Sequence, residues 1–252
     1  MNDVGIAVMT RNRRAELTEV LDAIEKHTRI PYDFVVSVDR SEDDTVPYLL
    51  NRYKDSENFT LLTPVAPGMA GGRNTILHHF RNHKIVFTFE DDYLPVVDSW
   101  EENYLKVLAD GDVPALFGLR GPVHGPVEDT MLKMVSPDGA YVPVVYRERV
   151  TTQMLAVNTG ILNTLGYFNP AYGARYGFED SEWACRGRDS GLFLSKLGFP
   201  ALDDEQNFRE VLDPKSSDRK TLEEREADIE DNNKIFVAHK ERPVFLPYPY
   251  EE

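Results

Sequence analysis

The sequence contains 252 residues, and its 28 Lys and Arg stand against 43 Asp and Glu, which gives a formal net charge of −15. Such an acidic surface repels phosphate backbones and argues against nucleic acid as a partner, although a small phosphate ester bound with a metal in a local pocket stays compatible with it. Cys185 is the single cysteine, so an intrachain disulfide is excluded, which suits a reducing compartment.

The apolar runs are too short for a membrane span, which needs about 20 residues. In the N-terminal stretch MNDVGIAVMTRNRR the basic residues follow the apolar run, which is the reverse of a signal peptide. We therefore expect a cytoplasmic protein without a transmembrane segment. The length suits one large domain, and we treat residues 1–252 as a single domain.

The first half of the chain alternates strand and helix patterns. Short apolar runs predict strands at residues 4–9, 34–38, 59–63 and 84–89. Helices are predicted at residues 13–27, 46–54 and 99–110, and residues 66–80 read as a glycine-rich loop that runs into a helix. In the first helix, one face carries Leu17, Val20, Leu21 and Ile24 at helical spacing. Strands that alternate with helices in this way predict a parallel α/β sheet.

The pattern changes from about Arg120. Turn residues and short β-like stretches there predict loops and antiparallel strands. Residues 180–191 have a helical pattern that ends at Gly191, a suitable position for a left-handed helix end. A last helix is predicted near the C-terminus, where Leu222, Ile229 and Phe236 recur every seven residues and Thr221 with Glu224 can form a capping box.

Three consecutive acids, Glu90, Asp91 and Asp92, follow the apolar strand at residues 84–89. Asp39 closes the earlier strand in the same way. Because ligands of open α/β sheets gather at the carboxyl ends of strands, these acids can meet in one crevice. Mg²⁺ and Mn²⁺ favour such oxygen ligands and a substrate diphosphate. The alternative is a polar turn whose acids cap the following helix.

A third acidic cluster lies at Glu179 and Asp180, after a Gly-Phe turn and before the predicted helix. A carboxylate there can accept a proton from a hydroxyl group. Acids in the first turn of a helix also favour the helix dipole, so capping is the alternative interpretation. The stretch APGMAGGR could wrap a phosphate, but it lacks the spacing of the known glycine-rich phosphate loops.

Five segments occur in an order that resembles the family 2 glycosyltransferases of the GT-A fold. VGIAVMTRNRRAELTEVLDAIEKHT is similar to the opening strand and helix of that family, VDRSEDDT to its Val-Asp-Asp-Gly-Ser stretch, and APGMAGGRNTIL to its Gly-x-x-x-Ala-Arg-Asn segment. FEDDYLP falls where the family has its D-x-D motif, and GYFNPAYGARYGFEDSEWACRGRDSG resembles its later Glu-Asp block. The resemblance covers residues 4–192 and implies a GT-A fold, with a mixed sheet flanked by helices. It further implies a nucleotide-sugar half at about 1–119, an irregular acceptor half at about 120–200 and a C-terminal helical extension at 201–252.

The resemblance also implies roles for single residues. The nucleotide is assigned to Thr10, Asp39, Arg73 and Asp91, with Asp39 contacting the base. Glu90 and Asp92 take the places of the two D-x-D acids, and Asp92 is the main ligand for Mn²⁺ or Mg²⁺. Asp180 matches the catalytic base, and Glu179 contacts the acceptor. Some relatives use a late histidine as a further metal ligand, a place that His239 could take.

Two departures from the family pattern stand out. Glu90 is longer than the usual aspartate, and the turn after Asp39 is one residue shorter and carries Arg40. The first departure bears on how the metal is held, and the second on how the base is contacted.

The implied reaction is a hexosyl transfer from a UDP-, GDP- or dTDP-sugar to a hydroxyl of a glycan or another acceptor, with inversion. A sugar-phosphate nucleotidyltransferase is one alternative, because such enzymes also combine α/β sheets with acidic metal sites. They usually carry a basic, glycine-rich loop near the N-terminus, whereas MTRNRRAE has the charge but no glycine. A catalytically degenerate sugar- or metal-binding module is the other alternative.

Overall fold

The computed structural model describes most of the chain. The described residues are 2–109, 113–118, 132–135, 141–147, 151–173, 175, 177–193, 199–202, 204–211, 221–238 and 243–250. The strands are β1 (Val4–Thr10), β2 (Asp33–Val38), β3 (Phe59–Leu62), β4 (Ile85–Glu90), β5 (Tyr93–Pro95), β6 (Ala115–Gly118), β7 (Leu132–Val135), β8 (Tyr141–Arg147), β9 (Thr151–Asn158), β10 (Phe199–Leu202) and β11 (Phe208–Glu210). The α-helices are α1 (Arg14–His27), α2 (Thr45–Arg52), α3 (Gly68–His79), α4 (Glu102–Ala109), α5 (Glu179–Asp189) and α6 (Leu222–Ala238).

A nine-stranded sheet forms the centre of the described structure, in the order β3-β2-β1-β4-β9-β6-β10-β8-β7. β1 to β4 run parallel to one another, whereas β9 is antiparallel to both β4 and β6. A separate pair joins β5 to β11. The predicted α/β fold with a mixed sheet is confirmed, and β1 to β4 are the four strands that the sequence pattern predicts.

Helix α1 buries the face that the periodic apolar pattern predicts. Leu17, Val20, Leu21 and Ile24 are all fully buried. Burying a side chain of this size stabilises the fold by about 1.5–3 kcal/mol, so the apolar face fixes α1 on the body of the protein. The predicted helical face is thus confirmed.

The glycine-rich stretch is a correction to the sequence analysis. We expected a loop before a helix, but α3 begins at Gly68 and contains Gly71 and Gly72 within its first two turns. A Cβ atom on Gly71 would lie 2.0 Å from the carbonyl oxygen of Ala66. The glycine therefore lets the helix approach the preceding chain, and this stretch does not form a phosphate-wrapping loop.

The second half matches the predicted change of pattern. β7, β8 and β9 lie in antiparallel pairings, as expected. β10 was not predicted, and it pairs with β6 in parallel. α5 ends at Asp189, and Gly191 has a φ of +77°, which is the left-handed conformation expected after a helix end.

The C-terminal region is only partly helical, which corrects the helical extension predicted at residues 201–252. The capping box of α6 is confirmed, because the Thr221 amide donates to Glu224 Oε2 (2.7 Å) and the Glu224 amide donates to Thr221 Oγ1 (3.2 Å). β11 also lies in this region. Beyond α6, the Leu246 carbonyl accepts from the Tyr167 amide (2.9 Å), which joins the last described segment to the body.

One continuous cluster of buried hydrophobic residues extends from Val4 to Val211. It joins the parallel half of the sheet to the antiparallel half, so both halves share a core. Over the ranges given above, no helix is both long enough and apolar enough to cross a membrane.

Candidate active site

The strand register brings the predicted nucleotide and metal residues to one edge of the sheet. Thr10 pairs with Val38, the residue before Asp39, and Met9 pairs with Glu90. β1, β2 and β4 therefore end at the same level. Open α/β sheets bind ligands outside this edge, at the carboxyl ends of their strands.

The acids after β4 are held by Arg13, which immediately precedes α1. Arg13 Nη1 donates to Asp91 Oδ1 at 2.5 Å, and Nη2 donates to Asp92 Oδ2 at 3.2 Å. Thr10 Oγ1 donates to the other Asp91 oxygen at 2.7 Å. Both oxygens of Asp91 are thus occupied, and its side chain is buried. Thr10 and Asp91 are both predicted to contact the nucleotide, and in the structure they hydrogen-bond to each other.

Arg73 joins two of the acidic clusters. Its Nη2 donates to Glu90 Oε1 (3.0 Å) and to the Thr152 carbonyl (3.0 Å), and its Nη1 donates to Glu179 Oε1 (3.3 Å). The guanidinium is fully buried, so its charge is satisfied by protein groups. Arg73 thus ties the end of β4 to the start of α5, and we infer that it positions carboxylates rather than contacting a diphosphate.

A strained turn presents Glu179 and Asp180. Gly177 and Phe178 both have left-handed backbones, with φ of +88° and +74°. For phenylalanine this conformation costs energy and persists only where surrounding contacts hold it. Two contacts from α6 do so: Asn232 Nδ2 donates to the Gly177 carbonyl (2.8 Å), and the Phe236 ring lies 5.2 Å from the Phe178 ring.

The two oxygens of Asp180 are held unequally. Oδ1 accepts from the Ser181 amide at 2.6 Å, and Thr152 Oγ1 donates to Oδ2 across a long 3.4 Å. Such a long bond is weak. Oδ2 is therefore the less tightly held oxygen.

Burial, with a further contribution from neighbouring carboxylates, raises the pKa of three acids of the site. Burial raises the pKa of Glu90 to about 7; Asp92 and Asp180 also raise it, and Arg73 lowers it. Burial raises the pKa of Asp91 to about 7 against the opposing effect of Arg13. Burial, followed by the charge of Asp180, raises the pKa of Glu179 to about 7. A bound cation would relieve this shared repulsion.

Asp39 lies at the N-terminus of α3. Its Oδ2 accepts from the Gly68 amide at 2.8 Å, and Arg40 Nη1 donates to its Oδ1 at 3.1 Å. Arg40 has a left-handed backbone with φ of +52°, and half of its side chain is exposed. One Asp39 oxygen therefore binds the start of the helix, while the other accepts from a half-exposed arginine.

Asp92 Oδ1 and Glu179 Oε2 are buried oxygens of the site that lack a hydrogen-bond partner. A buried carboxylate oxygen is costly without a partner, so each is suited to a bound ligand. The described residues contain no cluster of three or more His, Cys, Asp or Glu arranged around a metal. His239 lies outside the described residues.

Sequence reasoning missed Arg13 and Thr152. Arg13 belongs to the basic run RNRR, and its partners lie 78 and 79 residues away. Thr152 lies within residues 120–175, where the sequence shows no readable motif. The signal for Arg13 in the sequence was a basic residue between the end of a predicted strand and the start of a predicted helix.

Comparison with known proteins places this geometry in a family. Residues 5–163 match the model of glycosyl transferase family 2. Comparison with the curated proteins gives no match.

Solved structures of low sequence identity share the fold. S. aureus TarS 1-349 in complex with UDP-GlcNAc is 17% identical over 91% of this chain and 64% of that chain, with a TM-score of 0.59. The mannosyltransferase PcManGT from Pyrobaculum calidifontis, in complex with GDP-Man and Mn²⁺, is 22% identical over 79% of this chain and 54% of that chain, with a TM-score of 0.56. GalNAc-T7 with UDP, GalNAc and Mn²⁺ is 10% identical over 86% and 45%, with a TM-score of 0.62. The chain spans less than two thirds of each of these proteins. The family match covers more than half of the sequence, and the chain belongs to glycosyl transferase family 2.

Proposed function

We propose that this protein transfers a sugar from a nucleotide-diphosphate donor to an acceptor hydroxyl, with metal assistance and with inversion. The observation that carries the proposal is the Arg73 bridge, which fixes the acids of β4 beside the acids of α5. One cluster suits a diphosphate with its cation, and the other suits an acceptor with its base. A family match over residues 5–163 supports the same activity.

The acids after β4 fit a divalent metal. Asp92 Oδ1 is buried without a partner, and Glu90 keeps 27% of its side chain exposed, so that a cation or water can reach it. Mg²⁺ and Mn²⁺ commonly take one or two protein carboxylates and complete their shell with phosphate oxygens and water. Asp92 would therefore hold the metal, and Glu90 would act directly or through water. PcManGT and GalNAc-T7 are complexed with Mn²⁺, which favours that metal.

The reaction then divides between the two clusters. A bound cation supplies the charge that stabilises the leaving diphosphate. Glu179 holds the acceptor through its free Oε2. Asp180 Oδ2 takes the proton from the acceptor hydroxyl as the hydroxyl oxygen attacks the anomeric carbon from the face opposite the diphosphate. One displacement inverts that carbon, and the proton stays on Asp180 until solvent removes it.

A screen of nucleotide sugars tests the proposal. UDP-, GDP- and dTDP-sugars are added with MnCl₂, and the melting temperature is compared with that of the protein alone. A ligand at 100 times its Kd stabilises the native state by about 2.7 kcal/mol. A stabilising donor is then incubated with acceptors, and the anomeric configuration of the product is read by NMR. No stabilisation by any nucleotide sugar would count against the proposal. Release of diphosphate from a sugar-1-phosphate and a nucleoside triphosphate would favour a nucleotidyltransferase instead.

We expect Asp39→Asn to weaken binding of uridine-type donors without changing its dependence on metal. The asparagine oxygen can still accept from the Gly68 amide, so α3 stays in place. Its amide group cannot accept an N–H from the base, which leaves one hydrogen bond unmade, and we expect about a tenfold loss. Calorimetric titration with UDP, with and without MnCl₂, measures this. Asp43→Asn is the control on the same loop, and a UDP affinity unchanged in Asp39→Asn would contradict the assignment.

A further inference from the structure

Arg13, to which the resemblance assigns no role, contacts the acids that follow β4. Its guanidinium donates to Asp91 Oδ1 and Asp92 Oδ2 and lies 3.7 Å from Glu16 Oε1. The Arg13 side chain is 16% exposed, while Glu16 and Asp91 are buried. One positive charge thus faces three carboxylates. This arrangement neutralises part of the acidic cluster without any bound ligand.

The two oxygens of Asp92 differ in their hydrogen bonding. Oδ2 accepts from Arg13, whereas Oδ1 is buried without a hydrogen-bond partner. A cation bound by Oδ1 would therefore share one carboxylate with the guanidinium. Positive charges this close repel each other strongly where water is scarce. Arg13 must then lower the affinity of the site for a free metal ion.

We propose that Arg13 is the resident counter-ion of this site, which stabilises its acids in the metal-free protein and keeps free metal weakly bound until a diphosphate arrives. The inference rests on the proposed function and deepens it. The negative charge of a diphosphate offsets the repulsion between Arg13 and the metal. Metal and donor binding are thereby coupled, and coupling between two ligands is reciprocal.

The test measures binding of Mn²⁺ alone, without nucleotide. Free Mn²⁺ is followed by electron paramagnetic resonance during titration of the metal-free protein, and melting temperatures are taken in EDTA and in MnCl₂. We expect Arg13→Gln to melt at a lower temperature than wild type in EDTA. We also expect its Mn²⁺ Kd to fall at least about tenfold. The rise in melting temperature with MnCl₂ should accordingly be larger than in wild type.

Three variants separate charge from general structural damage. Arg13→Lys keeps the charge and should bind Mn²⁺ nearly as wild type does. Arg14→Gln removes a charge from the adjacent residue, which is 44% exposed and pairs with Asp44 instead of the site acids; it should leave Mn²⁺ affinity unchanged. Arg13→Gln combined with Asp92→Asn should lose the tighter binding, because the oxygen that holds the metal has been altered.

Arg13→Gln leaves the buried Asp91 without its counter-charge and could fail to fold. In that event the pair Arg13→Gln with Asp91→Asn is compared with Asp91→Asn alone, and the same tightening is expected. Unchanged, weaker or unmeasurable Mn²⁺ binding after loss of Arg13 overturns the inference. Failure of the proposed function is seen separately, as the absence of any donor nucleotide that stabilises wild type with MnCl₂.

Discussion

Asp92→Asn should bind nucleotide diphosphate no more tightly with Mn²⁺ than without it. The wild type should bind nucleotide diphosphate at least about 100-fold more tightly with Mn²⁺ than without it. Residues that only hydrogen-bond to metal ligands already contribute about 10–100-fold to metal affinity, and Asp92 is proposed to be a ligand itself. Asparagine keeps the size of the side chain but removes the charge from Oδ1, the oxygen that lies buried without a partner. Calorimetric titration of UDP and GDP, with MnCl₂ and with EDTA, measures the difference.

The fold should survive this substitution. Burial raises the pKa of Glu90, and the negative charges of Asp92 and Asp180 raise it further, so these acids repel one another in the native state. Removing one charge relieves part of that repulsion, and Arg13 still pairs with Asp91. Glu90→Gln is the matched comparison. It should cost less affinity for nucleotide diphosphate, because Asp92 is the proposed main metal ligand and Glu90 the secondary one. An Asp92→Asn protein that keeps the Mn²⁺ dependence of the wild type would show that the metal assignment is wrong.

The strand ends of the parallel half could be predicted because their signals are local. Short apolar runs mark β1, β2 and β4, and the acids that close β2 and β4 are visible in the sequence. Parallel strands joined by helices must end at the same edge of the sheet. The placement of Asp39, Glu90 and Asp92 at one edge of the sheet therefore followed from pattern and topology.

The roles of Arg73 and Arg13 could not be predicted in the same way. Arg73 contacts Glu179 from 106 residues away, and Arg13 contacts Asp92 across 79 residues. A lone arginine reads as a solvated charge unless the tertiary fold is known, because arginine is rarely fully buried. Only the structure shows that these two guanidinium groups hold the acids in place.

The sequence predicted a turn before α5 but not its strained backbone. Gly177 indicated a turn, but the left-handed Phe178 did not follow from any local preference, since phenylalanine disfavours that conformation. Its stability depends on α6, which begins more than 40 residues later. The predicted C-terminal helix thus supports the turn that carries Glu179 and Asp180.

Asp180→Asn should lower kcat by about 10²–10⁴-fold while leaving donor affinity nearly unchanged. Asparagine cannot take the proton of the acceptor hydroxyl, but its oxygen can still accept from the Ser181 amide, so the start of α5 keeps its geometry. Thr152 and the Arg73 bridge remain in place. The measurement is single-turnover transfer with the acceptor found in the screen, alongside donor binding by calorimetry. Asp189→Asn, at the exposed far end of the same helix, should behave as wild type.

Glu179→Gln should fail in a different manner, which separates catalysis from helix capping. Glutamine can still accept from Arg73 at one oxygen, but it loses the charged oxygen proposed to hold the acceptor. We therefore expect the acceptor KM to rise more than kcat falls, since an interaction present in both ground and transition states has been removed.

If Asp180 only caps α5, its replacement by asparagine costs a fraction of a kcal/mol at most, and turnover stays near that of wild type. A wild-type kcat for Asp180→Asn with the true acceptor would remove Asp180 as the base and, with it, the inverting displacement described above.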